Sequence, residues 1–181
     1  SDLDANTEYV YSIAVTDVAG KEVANSPFEF KVTTASIGSP PTPPILEAYQ
    51  VFSIFSDAYK AVNNVNANPY WGQNTQAAII QVEGNNVLSY EGLTYQGTEF
   101  AAINVNDMAM VHVDVYPTDN KNIILTFINT HASKEKAKLL SGLKVGEWNS
   151  IEIPISAFSN VPLNHINQMR IEVEGQNQYL G

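Results

Sequence analysis

Apolar and polar residues alternate along much of this chain with the two-residue period of half-buried strands. Residues 9–15 read as one strand, Asp17-Val18-Ala19-Gly20 as a turn, and Phe28, Phe30 and Val32 mark a second strand. Beyond residue 44, strand-like runs follow one another over 45–55, 77–82, 87–90, 93–95, 100–105, 109–116, 123–129, 139–143, 148–153 and 168–173. Turn signals separate them, among them Gly84-Asn85-Asn86 and Glu91-Gly92. This spacing predicts an all-β fold, an antiparallel sandwich of the jelly-roll type. The best helical window is 134–140, and it is short.

Strand geometry converts the alternation into two surfaces. Val111, Val113 and Val115 share one face of their run, and Met110, His112, Asp114 and Tyr116 share the other. Met169, Ile171 and Val173 form the apolar set of the last run, while Gln168, Arg170 and Glu172 point away. Ile151, Ile153 and Ile155 oppose Ser150 and Glu152 in the same manner. The apolar faces are expected to close a core between two sheets, leaving the outward faces to solvent or a ligand. Arg170 is the chain's one arginine, and its planar fork suits bidentate recognition of hydroxyls or a salt bridge to Glu172 or Glu152. His112 and Asp114, two apart, read either as part of a polar binding row or as a private side-chain pair.

Four of the nine prolines fall within Ser36-Ile37-Gly38-Ser39-Pro40-Pro41-Thr42-Pro43-Pro44. Proline fixes φ and removes a backbone donor, so 36–44 reads as a stiff, extended linker. It separates a strand pair in 1–35, too small to hold a core alone, from a sandwich over 45–181.

Composition narrows the function. Nine Lys and Arg against 19 Asp and Glu give a net charge of −10, which argues against nucleic acid and acidic polymers and favours neutral partners. No apolar run is long enough to span a membrane. The absence of cysteine removes thiol catalysis, thiolate metal sites and disulfides. The chain opens on Ser1-Asp2-Leu3-Asp4 without a basic-then-apolar leader, so any export signal is expected outside it. Glycosidases need paired carboxyl groups. Beyond Asp2 and Asp4, the acid-x-acid spacing occurs only at Glu172 and Glu174, and no nucleophile elbow or phosphate-cradling loop is present. The expectation is a protein that is not an enzyme.

Two resemblances sharpen this reading. Leu3, Thr7 and Tyr9, followed by Asp17 and Gly20, resemble the last two strands of a fibronectin type III or Ig-like domain, in which the first tyrosine forms the tyrosine corner. The match covers 1–35 and lacks the earlier strands, which implies a fragment of a longer multimodular protein. A second set of strings is Val51-Phe52-Ser53-Ile54-Phe55-Ser56-Asp57-Ala58-Tyr59, Asn68-Pro69-Tyr70-Trp71-Gly72-Gln73, Tyr95-Gln96-Gly97, Met110-Val111-His112-Val113-Asp114-Val115 and Gly146-Glu147-Trp148-Asn149-Ser150. In this order, over about residues 45–175, they resemble the β-sandwich carbohydrate-binding modules of bacterial β-glucanases and surface glycan-binding proteins. The resemblance implies non-catalytic binding of a neutral, β-glucan-like polysaccharide, outside the cell or at the bacterial surface. It also implies company with other subunits of a surface glycan-uptake complex, as in outer-membrane lipoproteins. The competing expectation is a structural or protein-interaction sandwich in a multidomain surface protein.

Under the resemblance, Trp71 together with Tyr70 or Tyr95 stacks on sugar rings, and Gln96, His112, Asp114 and Arg170 hydrogen-bond hydroxyls. Trp71, in a loop flanked by Pro69 and Gly72, is either displayed or plugs one end of the sandwich. Tyr90 joins the binding face or packs inward, and Trp148, beside a run of isoleucines, is expected to be structural. The resemblance further implies a structural calcium with Asp57 as one ligand, and a final strand bearing Asp and Asn. This chain instead ends on Tyr179-Leu180-Gly181, so the module is expected to lack that strand.

Overall fold

The computed structural model describes residues 7–33 and 36–175. The stretch 176–181, on which the expectation of a missing last strand rests, and Leu3 lie outside the described residues. The chain divides into two compact units, Ser1–Ile37 and Gly38–Gly181, so the division falls inside the Pro-rich segment. Gly38 and Pro44 are tied to the second unit. The Gly38 carbonyl accepts the Trp148 indole N–H at 2.6 Å, and that of Pro44 accepts the Tyr59 hydroxyl at 2.5 Å.

The first unit pairs β1 (Glu8–Ile13) with β2 (Phe28–Thr33) in antiparallel register. Opposed residues point to the same side, so Tyr9, Tyr11, Ile13, Phe28, Phe30 and Val32 make one wholly apolar face. All but Tyr9 are exposed. The reverse face carries Glu8 and Lys31, joined by a 3.0 Å ion pair.

The second unit is an antiparallel β-sandwich. Its strands are β3 (Gln76–Val82), β4 (Asn85–Glu91), β5 (Tyr95–Ile103), β6 (Met110–Val115), β7 (Ile123–Asn129), β8 (Lys134–Leu140), β9 (Asn149–Pro154) and β10 (Ile166–Val173). They form a four-stranded sheet in the order β5-β10-β7-β8 and the pairs β3-β4 and β6-β9. Val111, Val113, Val115, Ile151 and Ile153 from β6-β9 meet Phe100, Leu125, Phe127, Met169 and Ile171 from the four-stranded sheet. Each fully buried side chain of this kind is worth about 1.5–3 kcal/mol. Phe158, on the short 3-10 turn Ile155–Phe158, is 0% exposed and stacks on Phe127 with ring centres 4.4 Å apart.

The order of elements departs from the sequence reading in four places. Residues 134–140, the best helical window, form strand β8, paired along its length with β7. Lys, Glu, Ala and Leu favour a helix only weakly, and seven ladder partners override that preference. Over 45–55 there is no strand among the described residues, only the 3-10 turn Ala48–Gln50 and an isolated bridge from Ser53 to Ala61. The runs 93–95 and 100–105 are joined through Gly97 into β5. The β3-β4 turn is Glu83-Gly84, with φ of 50° and 82°, one residue earlier than its glycine-asparagine signal suggested. Positive φ at both central residues is the mark of a type I′ turn, whose twist suits a hairpin.

Candidate functional site

The register of the four-stranded sheet orders its outward face in rows. The first row is Glu99, Gln168, Ile128 and Glu135, and the second is Gly97, Arg170, Thr126 and Ala137. The third is Tyr95, Glu172, Ile124 and Leu139. Along the outer edge of β5, Asn66 exchanges two backbone hydrogen bonds with Glu99, and Ala101 N–H donates to the Asn63 carbonyl at 2.8 Å. This pairing delivers the following loop, which holds Trp71, onto the face.

Trp71 rests on Gly97. A Cβ built there would lie 2.4, 2.5 and 2.6 Å from three adjacent atoms of the six-membered ring, so the flat of the ring covers the glycine. Any side chain at position 97 would displace the indole. The indole N–H donates to Glu99 Oε1 at 2.9 Å, and the Tyr95 hydroxyl donates to the Trp71 carbonyl at 2.9 Å. Gln73 Oε1 accepts from the Trp71 backbone N–H at 2.7 Å and closes the loop. Gln168 Nε2 donates to the same Glu99 oxygen at 3.2 Å, linking the indole to β10. Tyr70, next to Trp71, is 92% exposed.

Arg170 arches from β10 across β7 to β8. Its Nη1 and Nη2 donate to the two carboxylate oxygens of Glu135, both at 3.2 Å, and its Nε donates to Glu172 at 2.7 Å. Burial pulls the guanidinium pKa down, but the bonds and charges of Glu135 and Glu172 outweigh it and hold the group above its ordinary range. Two open depressions flank the first row. One, of about 310 Å³, is lined by Asn64, Glu99, Asn167 and Gln168 among others. The second, of about 440 Å³, is lined by Ile128, Thr130, Lys134 and Glu135 among others.

Of the residues named from sequence, the structure brings Trp71, Tyr95 and Arg170 onto this face. Gln96 is not on it. It is 1% exposed on the opposite side of β5, and its amide N–H₂ donates to the Ala67 and Gly97 carbonyls and to Asn68 Oδ1. Strand alternation forbids Tyr95 and Gln96 the same surface. His112 and Asp114 stand on the outward face of β6-β9, on the far side of the shared core from Arg170. There they form the private pair that the sequence left open. His112 Nδ1 lies 2.7 Å from Glu152, its Nε2 lies 3.1 Å from Asp114, and the Ser150 hydroxyl donates to Asp114. Burial lowers the imidazole pKa, yet Glu152 and Asp114 together raise it above its ordinary value.

Tyr90 packs against the core, where burial pushes its phenol pKa up. Trp148 meets Tyr116 edge-on with ring centres 5.5 Å apart. Both oxygens of Asp57 accept from Asn86, at 2.6 Å from its backbone N–H and 2.7 Å from its side chain. Those bonds hold the Asp57 carboxyl below its ordinary range. Among the described residues no group of three acids or histidines forms, and both Asp57 oxygens are engaged by Asn86.

Sequence reasoning missed Glu99, Gly97 as a seat for the indole, and Glu135. The first two share parity with Tyr95 and were legible on that ground. Glu135 was hidden by the helical reading of its segment. No protein-family model matches the chain, and no curated protein or solved structure matches it either.

Proposed function

We propose that the outward face of the β5-β10-β7-β8 sheet captures a neutral, β-glucan-like polysaccharide and performs no chemistry on it. One observation carries this reading: an indole lies flat on the sheet at Gly97, beside the carboxylate and amide of Glu99 and Gln168. A pyranose offers a C–H face to an aromatic ring and equatorial hydroxyls to fixed donors and acceptors, and this face supplies both. The charge of −10 agrees with an uncharged ligand. Such a module belongs outside the cell or at a bacterial surface, beside other subunits of a glycan-uptake complex.

A second reading, a structural or protein-interaction sandwich, draws on the Arg170 fork. Glu135 and Glu172 already engage three of its donors, which leaves fewer for a sugar.

A neutral-glycan array followed by titration calorimetry separates the two. The glycan reading expects saturable binding to a glucan, weakened about tenfold or more by Trp71→Ala and several-fold by Gln168→Ala, losses in keeping with a central aromatic anchor. His112→Ala, on the other sheet, should bind as the parent does. Affinity should change less than about twofold between about 0.05 and 0.5 M salt, because the ligand carries no charge to screen. No binding across the array hands the sandwich to the interaction reading.

A further inference from the structure

Two of the chain's three histidines meet in space, although far apart in sequence. His131 lies in the turn joining β7 to β8, and His165 closes the 3-10 turn Leu163–His165 that leads into β10. Their ring centres are 5.4 Å apart, with the planes inclined at 44°. The third histidine, His112, is spent between two carboxylates. Among the described residues, neither His131 nor His165 makes a hydrogen bond or an ion pair, so both imidazoles keep their nitrogens uncommitted.

The turns that carry them are nonetheless braced. Asn129 Nδ2 donates to the Pro162 carbonyl at 2.8 Å, and Asn129 Oδ1 accepts from Ala132 N–H at 2.9 Å. Thr130 N–H donates to Asn167 Oδ1 at 3.1 Å, while Asn167 Nδ2 donates to the Thr130 hydroxyl at 2.8 Å. Three of these bonds tie the two segments together and the fourth braces the β7-β8 turn, so a ligand joining the rings has less backbone ordering left to impose.

We propose that His131 and His165 together bind a late-transition divalent cation of the Zn²⁺, Ni²⁺ or Cu²⁺ class. The separation suits it. A metal–nitrogen bond of ~2.1 Å plus ~1.1 Å to the ring centre puts the ion ~3.2 Å from each centre, and a tetrahedral angle then parts the centres by ~5.2 Å. Neutral imidazole is a preferred ligand for these ions, and hard cations such as calcium take oxygen instead. No third acid or histidine joins the pair among the described residues. The site is therefore open and exchangeable, with its remaining positions left to water or an outside ligand, unlike a closed four-ligand structural centre. A bound ion would bridge the β7-β8 turn to the lead-in of β10.

The test is titration calorimetry of the whole chain with nickel or zinc chloride alone, paired with thermal unfolding in the same solutions. Saturable uptake of one ion per chain and a rise in Tm with metal are expected. His131→Ala and His165→Ala should each lower affinity by about tenfold or more and abolish the Tm rise, and His112→Ala should do neither. His131 is exposed, and its replacement leaves all four bonds in place, so an unchanged unfolding midpoint without metal certifies the fold. Absence of saturable uptake at millimolar metal, or uptake that survives both alanine variants, overturns the proposal.

Discussion

At Gly97 one hydrogen atom decides the geometry of the candidate face. Gly97→Ala places a methyl group 2.4 Å from the Trp71 ring, and backbone φ gives no offsetting reason to prefer glycine there. The variant should lose roughly 1–3 kcal/mol in urea unfolding, the usual cost of forcing extra volume into a packed contact. Its glucan titration should weaken together with that of Trp71→Ala. His112 makes a prediction with a definite sign. Its folded pKa is raised, so its stabilising effect is complete below the ordinary histidine value near 6.5 and disappears as pH rises through the higher folded value. Relative to His112→Gln, the parent should therefore be more stable at about pH 5.5 and lose that advantage at alkaline pH. Urea titrations across that range check it; an advantage that grows with pH would contradict the assigned network. At this scale the sequence was half readable. Parity alone separates Tyr95 from Gln96, but no pattern along the chain announces that Glu152 will stand across from His112.

Among the elements, β8 is the instructive one. Its alternation places Glu135, Ala137 and Leu139 outward and Lys134, Lys136 and Lys138 on the other side of an edge strand, where lysines discourage pairing with another chain. The same residues satisfy a helical pattern, so only the ladder with β7 decides between the two. The β3-β4 turn offers a cleaner local test. Glu83 holds φ at 50°, a left-handed value that costs a non-glycine residue about 1 kcal/mol or more, and asparagine tolerates it better. Glu83→Asn should stabilise the hairpin by about 0.5 kcal/mol. A higher urea midpoint with an unchanged slope is the expected readout.

Over the whole molecule, the alternation foretold strands and an enclosed core, since burying one side of every strand leaves few arrangements other than two facing sheets. It could not foretell that β10 lies between β5 and β7, because ladder order rests on contacts between distant segments. Phe158 shows the same limit. It is the largest fully buried side chain among the described residues, yet it sits on a short 3-10 turn after β9, outside every predicted strand. Phe158→Ala should cost about 3–5 kcal/mol and lower the Tm of the second unit by on the order of 10 °C in calorimetry. A shift of only a degree or two would mean that the core closes without its stacking on Phe127.

The two tryptophans are seated in unlike places. Trp71 lies against a glycine backbone and a carboxylate on the sheet face, while Trp148 is hydrogen-bonded to Gly38 beside the Pro-rich segment. The chain thus carries two built-in optical probes. Replacing either one by phenylalanine leaves a single indole, so with excitation selective for tryptophan, quenching and spectral shifts can be followed separately at the sheet surface and at Gly38.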